Sequence, residues 1–185
     1  MKHVFAIKNS VVIFIFAIIL SACSQKSEKS VAHIAFEQGD LVFRKGTGVK
    51  SRAVFHADSS GVYSHVGIVV WKDSVFQVVH TTLGEREKGE EIDRIKIESI
   101  STFWRKDRAK YGAVYRLKNN GLGEKAAQEA LRLLAEGVPF DHDYELEDST
   151  KMYCTELVWY AYLQAGQDIS FGKRSEMNVP LYSGI

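Results

Sequence analysis

Apolar and polar positions change period several times along the chain, and each change marks an element. Val11 to Leu20 is an unbroken apolar stretch behind a short start containing Lys2, His3 and Lys8. It is too short to cross a bilayer as a stable helix and has the form of a signal peptide. Leu41-Val42-Phe43, following Gly39-Asp40, reads as a first strand. Residues 45–62 are rich in Gly and Ser and read as loop with at most one helical turn. Val66 to Trp71 and Val75 to Thr81 are β-branched runs separated by Lys72-Asp73-Ser74, which predicts a hairpin with both strands buried. The charged stretch 83–91 is an expected exposed loop, and Ile92 to Ile97 alternates as a strand with one wet face. Ile100 to Arg105 suits a short helix, and Ala113 to Leu117 a last strand. Ala126, Ala130, Leu133 and Leu134 predict a helix over Lys125–Glu136, ended by Gly137 and Pro139. After an acidic, irregular segment, Met152 to Ala165 predicts a helix that buries Leu157, Val158, Tyr160 and Ala161 and stops at Gly166. Helices and an antiparallel sheet in one domain give the α+β class, an antiparallel sheet with packed helices.

The leader ends in Leu20-Ser21-Ala22-Cys23, the cleavage and lipidation pattern of a bacterial lipoprotein. The expected division is residues 1–22 as signal peptide, 23–33 as a polar tether lipidated at Cys23, and 34–185 as the folded domain. Ser24 follows the cysteine where Asp is absent, which resembles enterobacterial-type lipoproteins carried to the outer membrane. That resemblance implies a lipid-anchored protein facing the periplasm.

The 185 residues carry 24 Lys and Arg against 23 Asp and Glu, a net charge of +1 with the signs interspersed. No basic stripe stands out, so nucleic acid is a poor partner. There are no internal repeats and no oligomer signal, so a monomer is expected. No cofactor is required by any motif.

With Cys23 committed to lipid, Cys154 is the only spare thiol. It sits in Tyr153-Cys154-Thr155-Glu156-Leu157-Val158 at a predicted helix start, where the helix dipole favours a thiolate. A thiol hydrolase also needs a base and a group that orients the base. Of six histidines, His3 is in the leader, His33 beside the tether, and His56 and His142 in loops. His65 and His80 lie in the apolar hairpin, where an imidazole needs a partner. The hairpin sets Ser64–Val66 roughly opposite His80–Thr82, so the two rings are expected to be neighbours. His65 is the candidate base and His80 the preferred orienter, with Gln77 as the other candidate on the opposite side of the sheet. A zinc site from Cys154, His65, His80 and His142 matches no short-range metal spacing and is disfavoured.

Together these residues resemble the permuted papain-like cysteine hydrolases of the NlpC/P60 superfamily, in the bacterial lipoprotein-type branch. Gly39-Asp40-Leu41-Val42-Phe43-Arg44 is similar to the opening strand, Tyr63-Ser64-His65-Val66-Gly67 to the histidine motif, and Val78-Val79-His80 to the strand of the third polar residue. Pro139-Phe140-Asp141 and Tyr153 to Val158 are similar to the nucleophile region. The cysteine follows the histidines, so the resemblance implies a circularly permuted papain-like fold. Related permuted proteins often carry Glu at the third position, where this chain has His80.

The implied mechanism is a Cys-His-His triad. His65 deprotonates Cys154 to a thiolate–imidazolium pair, His80 orients His65, and the thiolate attacks an amide or ester carbonyl. The oxyanion is held by the Cys154 amide and by Tyr63 as a candidate second donor. Asp40 and Glu156 read as structural, the latter as a charge suited to the helix dipole. The expected substrate is an amide bond in cell-wall peptide. An acyltransferase or amidase on lipid N-acyl substrates and a non-catalytic envelope lipoprotein are the alternatives. An apolar groove beside Cys154 would favour lipid, and an open polar cleft peptide.

Overall fold

A computed structural model describes residues 34–170 apart from 87, 88, 90, 119, 120 and 147. The expectations on the leader, Cys23, the tether with His33 and the last fifteen positions therefore lie outside the described residues. The described elements run β1 (Leu41–Gly46), α1 (Val49–Ala57), β2 (His65–Lys72), β3 (Val75–Thr81), β4 (Ile95–Ser99), α2 (Ile100–Phe103), β5 (Ala109–Tyr115), α3 (Leu122–Glu136) and α4 (Cys154–Gln164). Five strands form one antiparallel sheet in the order β4-β3-β2-β1-β5. The mixed α and β class with packed helices agrees with the sequence expectation.

The two faces of this sheet are built differently. Leu41, Val66, Ile68, Val70, Val79 and Ile95 face α3 and α4, where Ala126, Ala130, Leu133, Leu157, Val158 and Ala161 complete a large apolar core. On the other face, Val42, Val69 and Val78 pack with Phe103 in a smaller cluster edged by Phe36, Phe76 and Trp104. Strand alternation then puts Arg44, His65, His80, Lys96 and Glu98 on this second face.

The β2–β3 hairpin forms as its sequence predicts, with Ile68 opposite Val79 and Lys72 opposite Val75. Its two-residue turn puts Asp73 and Ser74 at φ 53° and 63°, the left-handed conformation that a tight hairpin turn needs. Among the boundaries that differ from the sequence reading, three have a visible physical cause. A nine-residue helix, Val49–Ala57, replaces most of the expected loop. Its start at Gly48 has no side-chain cap, and tertiary contacts hold it instead: Lys50 Nζ donates to the Leu83 carbonyl at 2.6 Å, and Lys45 lies over the Phe55 ring. β5 starts four residues earlier than expected, because pairing with β1 extends to Gly46 opposite Ala109. β4 begins at Ile95 rather than Ile92, because Asp93 is drawn into the preceding loop, where its carboxylate accepts the Gly84 amide at 2.7 Å and meets Arg86 at 3.1 Å.

Candidate active site

His65 is the first residue of β2 and His80 the sixth of β3. Both are buried. Gly67 makes their meeting possible, because a Cβ there would sit 3.1 Å from the His80 Cβ and 2.5 Å from a Val78 methyl. His65 Nε2 lies 2.8 Å from His80 Nδ1, and the His65 ring stacks on Phe103 at 5.6 Å. Gln77 is not part of this contact: its amide donates to the Lys72 carbonyl at the hairpin end.

Behind His80 stands Glu98. Its Oε1 is 3.1 Å from His80 Nε2, close enough for the carboxylate to orient the ring although the angle is too bent for a linear hydrogen bond. Lys96 and Arg108 flank the same carboxylate at 3.7 and 2.8 Å. Burial alone would raise the Glu98 carboxyl, but His80 and these two cations together bring it down to about 2. Arg44 closes the cluster, with its guanidinium over the Phe103 ring and donating to the Phe103 carbonyl and to Glu85.

This chain of contacts dictates where the protons sit. An ionised Glu98 draws the His80 proton to Nε2, so His80 Nδ1 is an acceptor. His65 must then carry its proton on Nε2 to donate to it. Its Nδ1 is left with a free lone pair, which is what a base needs. Burial, reinforced by Arg44, His80 and Lys96, pushes His65 well below the ordinary 6.5. Burial also lowers His80, against the pull of Glu98. Both rings are neutral at pH 7.

Cys154 is the first residue of α4. The backbone amides of Val66, Thr155 and Cys154 itself reach its sulfur. The β2–β3 ladder begins only at Ile68 opposite Val79, so it does not claim the Val66 N–H. The thiol therefore comes to the head of β2, one residue from His65. Burial pushes the thiol above its ordinary 9.0, and the three amides offset only part of this. Burial thus opposes the charged form of both members of the expected thiolate–imidazolium pair.

The other expected residues fall into place as follows. Tyr63 packs between Phe43 and Tyr111 at 5.5 and 6.1 Å, and its hydroxyl bonds to Tyr115. His142 and His56 are exposed, and the His142 ring rests on Phe140. Asp40 is structural, with both oxygens held by Arg116 at 2.6 and 2.8 Å. Glu156 makes a capping box with the Tyr153 amide. Its role as a plain dipole-matched charge is corrected, because burial raises its carboxyl to about 7. Among the described residues, no three His, Cys, Asp or Glu side chains are grouped to hold a metal ion.

Sequence reasoning missed Glu98. The alternation from Ile95 to Ile97 put Lys96 and Glu98 on one face of β4. What the sequence did not carry was the register, His80 opposite Lys96 and Val78 opposite Glu98, which turns that face inward.

Residues 35–182 match a family model described as permuted papain-like amidase enzyme, YaeF/YiiX, C92 family. The chain belongs to this amidase family. It is a cysteine hydrolase of papain-like, permuted type, and the thiol following both imidazoles along the chain agrees with that order. A solved structure titled metalloprotein yiiX from Escherichia coli O157:H7 shares the fold, with a TM-score of 0.57 and 24% identity over 72% of this chain and 68% of that one. No curated protein matches the chain.

Proposed function

We propose that this amidase hydrolyses amide bonds with a Cys154–His65–His80 triad backed by Glu98. One observation carries the reading: His65 bonds through Nε2 to a His80 backed by Glu98, and the amide of the next residue, Val66, reaches the Cys154 sulfur. His65 acts as a general base during attack rather than through a preformed ion pair. The Cys154 proton passes to His65 Nδ1 as the sulfur bonds to the carbonyl carbon. The carbonyl electrons move to oxygen, and the resulting oxyanion is met by the Cys154 amide. Collapse expels the amine, which takes the proton from His65, and water then releases the acyl group.

The lipoprotein leader, the lipid on Cys23 and the NlpC/P60 kinship belong to the same reading. They make a domain tethered to the outer membrane, facing the periplasm, with cell-wall peptide as its amide substrate. A second reading, an amidase or acyltransferase on lipid N-acyl groups, is favoured by a partly exposed aromatic strip of Phe43, Tyr63, Tyr111 and Tyr115. Incubation of the purified domain with cell-wall peptide fragments and with N-acyl lipids, read by mass spectrometry, decides between them. Release of a new amine and carboxylate from the peptide, lost in Cys154→Ala, is the expected result. Cleavage of the lipid alone favours the second reading, and equal turnover by Cys154→Ala removes the nucleophile assignment.

A further inference from the structure

The acidic segment between α3 and α4 is exposed over residues 142–146, yet it is folded around one buried carboxylate. Asp141 is fully buried. Its Oδ1 accepts the Asp143 amide at 2.9 Å and its Oδ2 the Glu145 amide at 2.6 Å, and Lys151 lies 3.2 Å from Oδ1. The two clamped amides flank Tyr144 on either side. Both ends of the loop are pinned as well, by the Asp141 amide to the Met152 carbonyl and by the Met152 amide to the Pro139 carbonyl. Tyr144 is held at φ 60°, a conformation that a residue with a Cβ adopts only when its surroundings impose it. Its ring stands edge-on to Phe140 at 6.0 Å and against Tyr153 at 5.3 Å, so it lies beside the residue that precedes Cys154. The two tyrosines differ in their hydroxyls. Tyr153 bonds to Thr155, while the half-exposed Tyr144 phenol has no hydrogen-bond partner among the described residues. Burial, with the charges of Cys154 and Asp141, raises the Tyr144 phenol, so it stays a proton donor across the working range.

We propose that Tyr144 faces the substrate and donates its phenol O–H to the oxyanion formed when Cys154 attacks a carbonyl, and that Asp141 is the positioning residue that holds it there. This rests on the hydrolase reading above and names the second donor of that site, in the place expected of Tyr63. Sequence offered no such signal, because the strain at Tyr144 follows from the Asp141 clamp rather than from residue type.

The test separates two reactions of the same sulfur. Acetylation of Cys154 by para-nitrophenyl acetate forms a carbon–sulfur bond through a tetrahedral oxyanion and expels para-nitrophenolate. Alkylation by iodoacetamide displaces iodide and forms no oxyanion. Tyr144→Phe should slow acetylation on the order of 10²-fold and leave alkylation within about twofold. Asp141→Asn should move acetylation in the same direction, with alkylation again unchanged. If both reactions keep their wild-type rates in Tyr144→Phe, or if both fall together, the donor assignment is overturned. A wild-type Cys154 that is alkylated but never acetylated fails differently: it overturns the hydrolase reading, and the Tyr144 role with it.

Discussion

One face of the sheet carries Leu41, Ile68, Val79 and Ile95 into α3 and α4, where they pack into a large apolar core. The other face starts the same way, with Val42, Val69 and Val78 under Phe103, and then turns polar toward the head of β2, where Arg44, His65, His80, Lys96 and Glu98 gather. Both faces are buried. The first carries little that is polar, the buried and unpartnered Thr81 hydroxyl being an exception, whereas the second is stable because its charges are neutralised in sequence, from Arg108 and Lys96 through Glu98 to His80. The difference shows how a fold hosts chemistry: a rigid apolar layer fixes the strands, and the opposite layer spends that rigidity on fixing proton positions.

The largest separation between the faces is expected from Glu98→Gln. A glutamine amide donates to His80 Nε2, which reverses the proton order and leaves the His65 proton on Nδ1, facing the sulfur. Acetylation of Cys154 by para-nitrophenyl acetate should fall by roughly 10²–10⁴-fold, the range a wrong tautomer produces in a related triad, while the melting curve moves little. A melting shift without a rate loss would make Glu98 structural. Ile68→Ala should do the opposite. Removing this fully buried side chain costs about 2–5 kcal/mol in urea unfolding, with the alkylation rate of the folded protein unchanged. A rate loss there would mean that the two faces are not separable.

The smallest effect is a pH slope. Burial lowers both His65 and His80, so below pH 6.5 the unfolded chain takes up protons more readily than the folded chain, and stability falls as pH falls. Glu156 works against this between about 7 and its ordinary 4.5, since the folded form holds a proton that the unfolded form has lost. Glu156→Gln removes the opposing contribution and should steepen the slope. A Glu156→Gln variant whose stability does not fall as pH falls below 6.5 contradicts the neutral assignment of the rings.

Much of the sheet was legible in the sequence because its signals are local. The hairpin needed only two β-branched runs and a three-residue break, and the meeting of His65 with His80 followed from that break. Gln77 could be set on the other side of the sheet by counting. The helix at Val49–Ala57 was missed because it has no side-chain cap to announce its start and one of its holding contacts comes from Leu83, far along the chain. Glu98 was missed because its place depends on a register with β3, and Tyr144 because the local Asp141 clamp that holds it follows from backbone geometry rather than residue type. The resting protonation of Cys154 depends on burial that composition does not encode.

The central claim is that the Cys154 thiol gives its proton to His65 rather than resting as a preformed ion pair. The rate of Cys154 alkylation by iodoacetamide between pH 5 and 9, in the wild type and in His65→Ala, tests it most directly. The account predicts a wild-type rate that rises steadily with pH with no acid-side plateau, together with acetylation by para-nitrophenyl acetate that falls on the order of 10²-fold at pH 7 in His65→Ala. A pH-independent plateau reaching below pH 7 in the wild type, or equal acetylation by the two proteins, would contradict it.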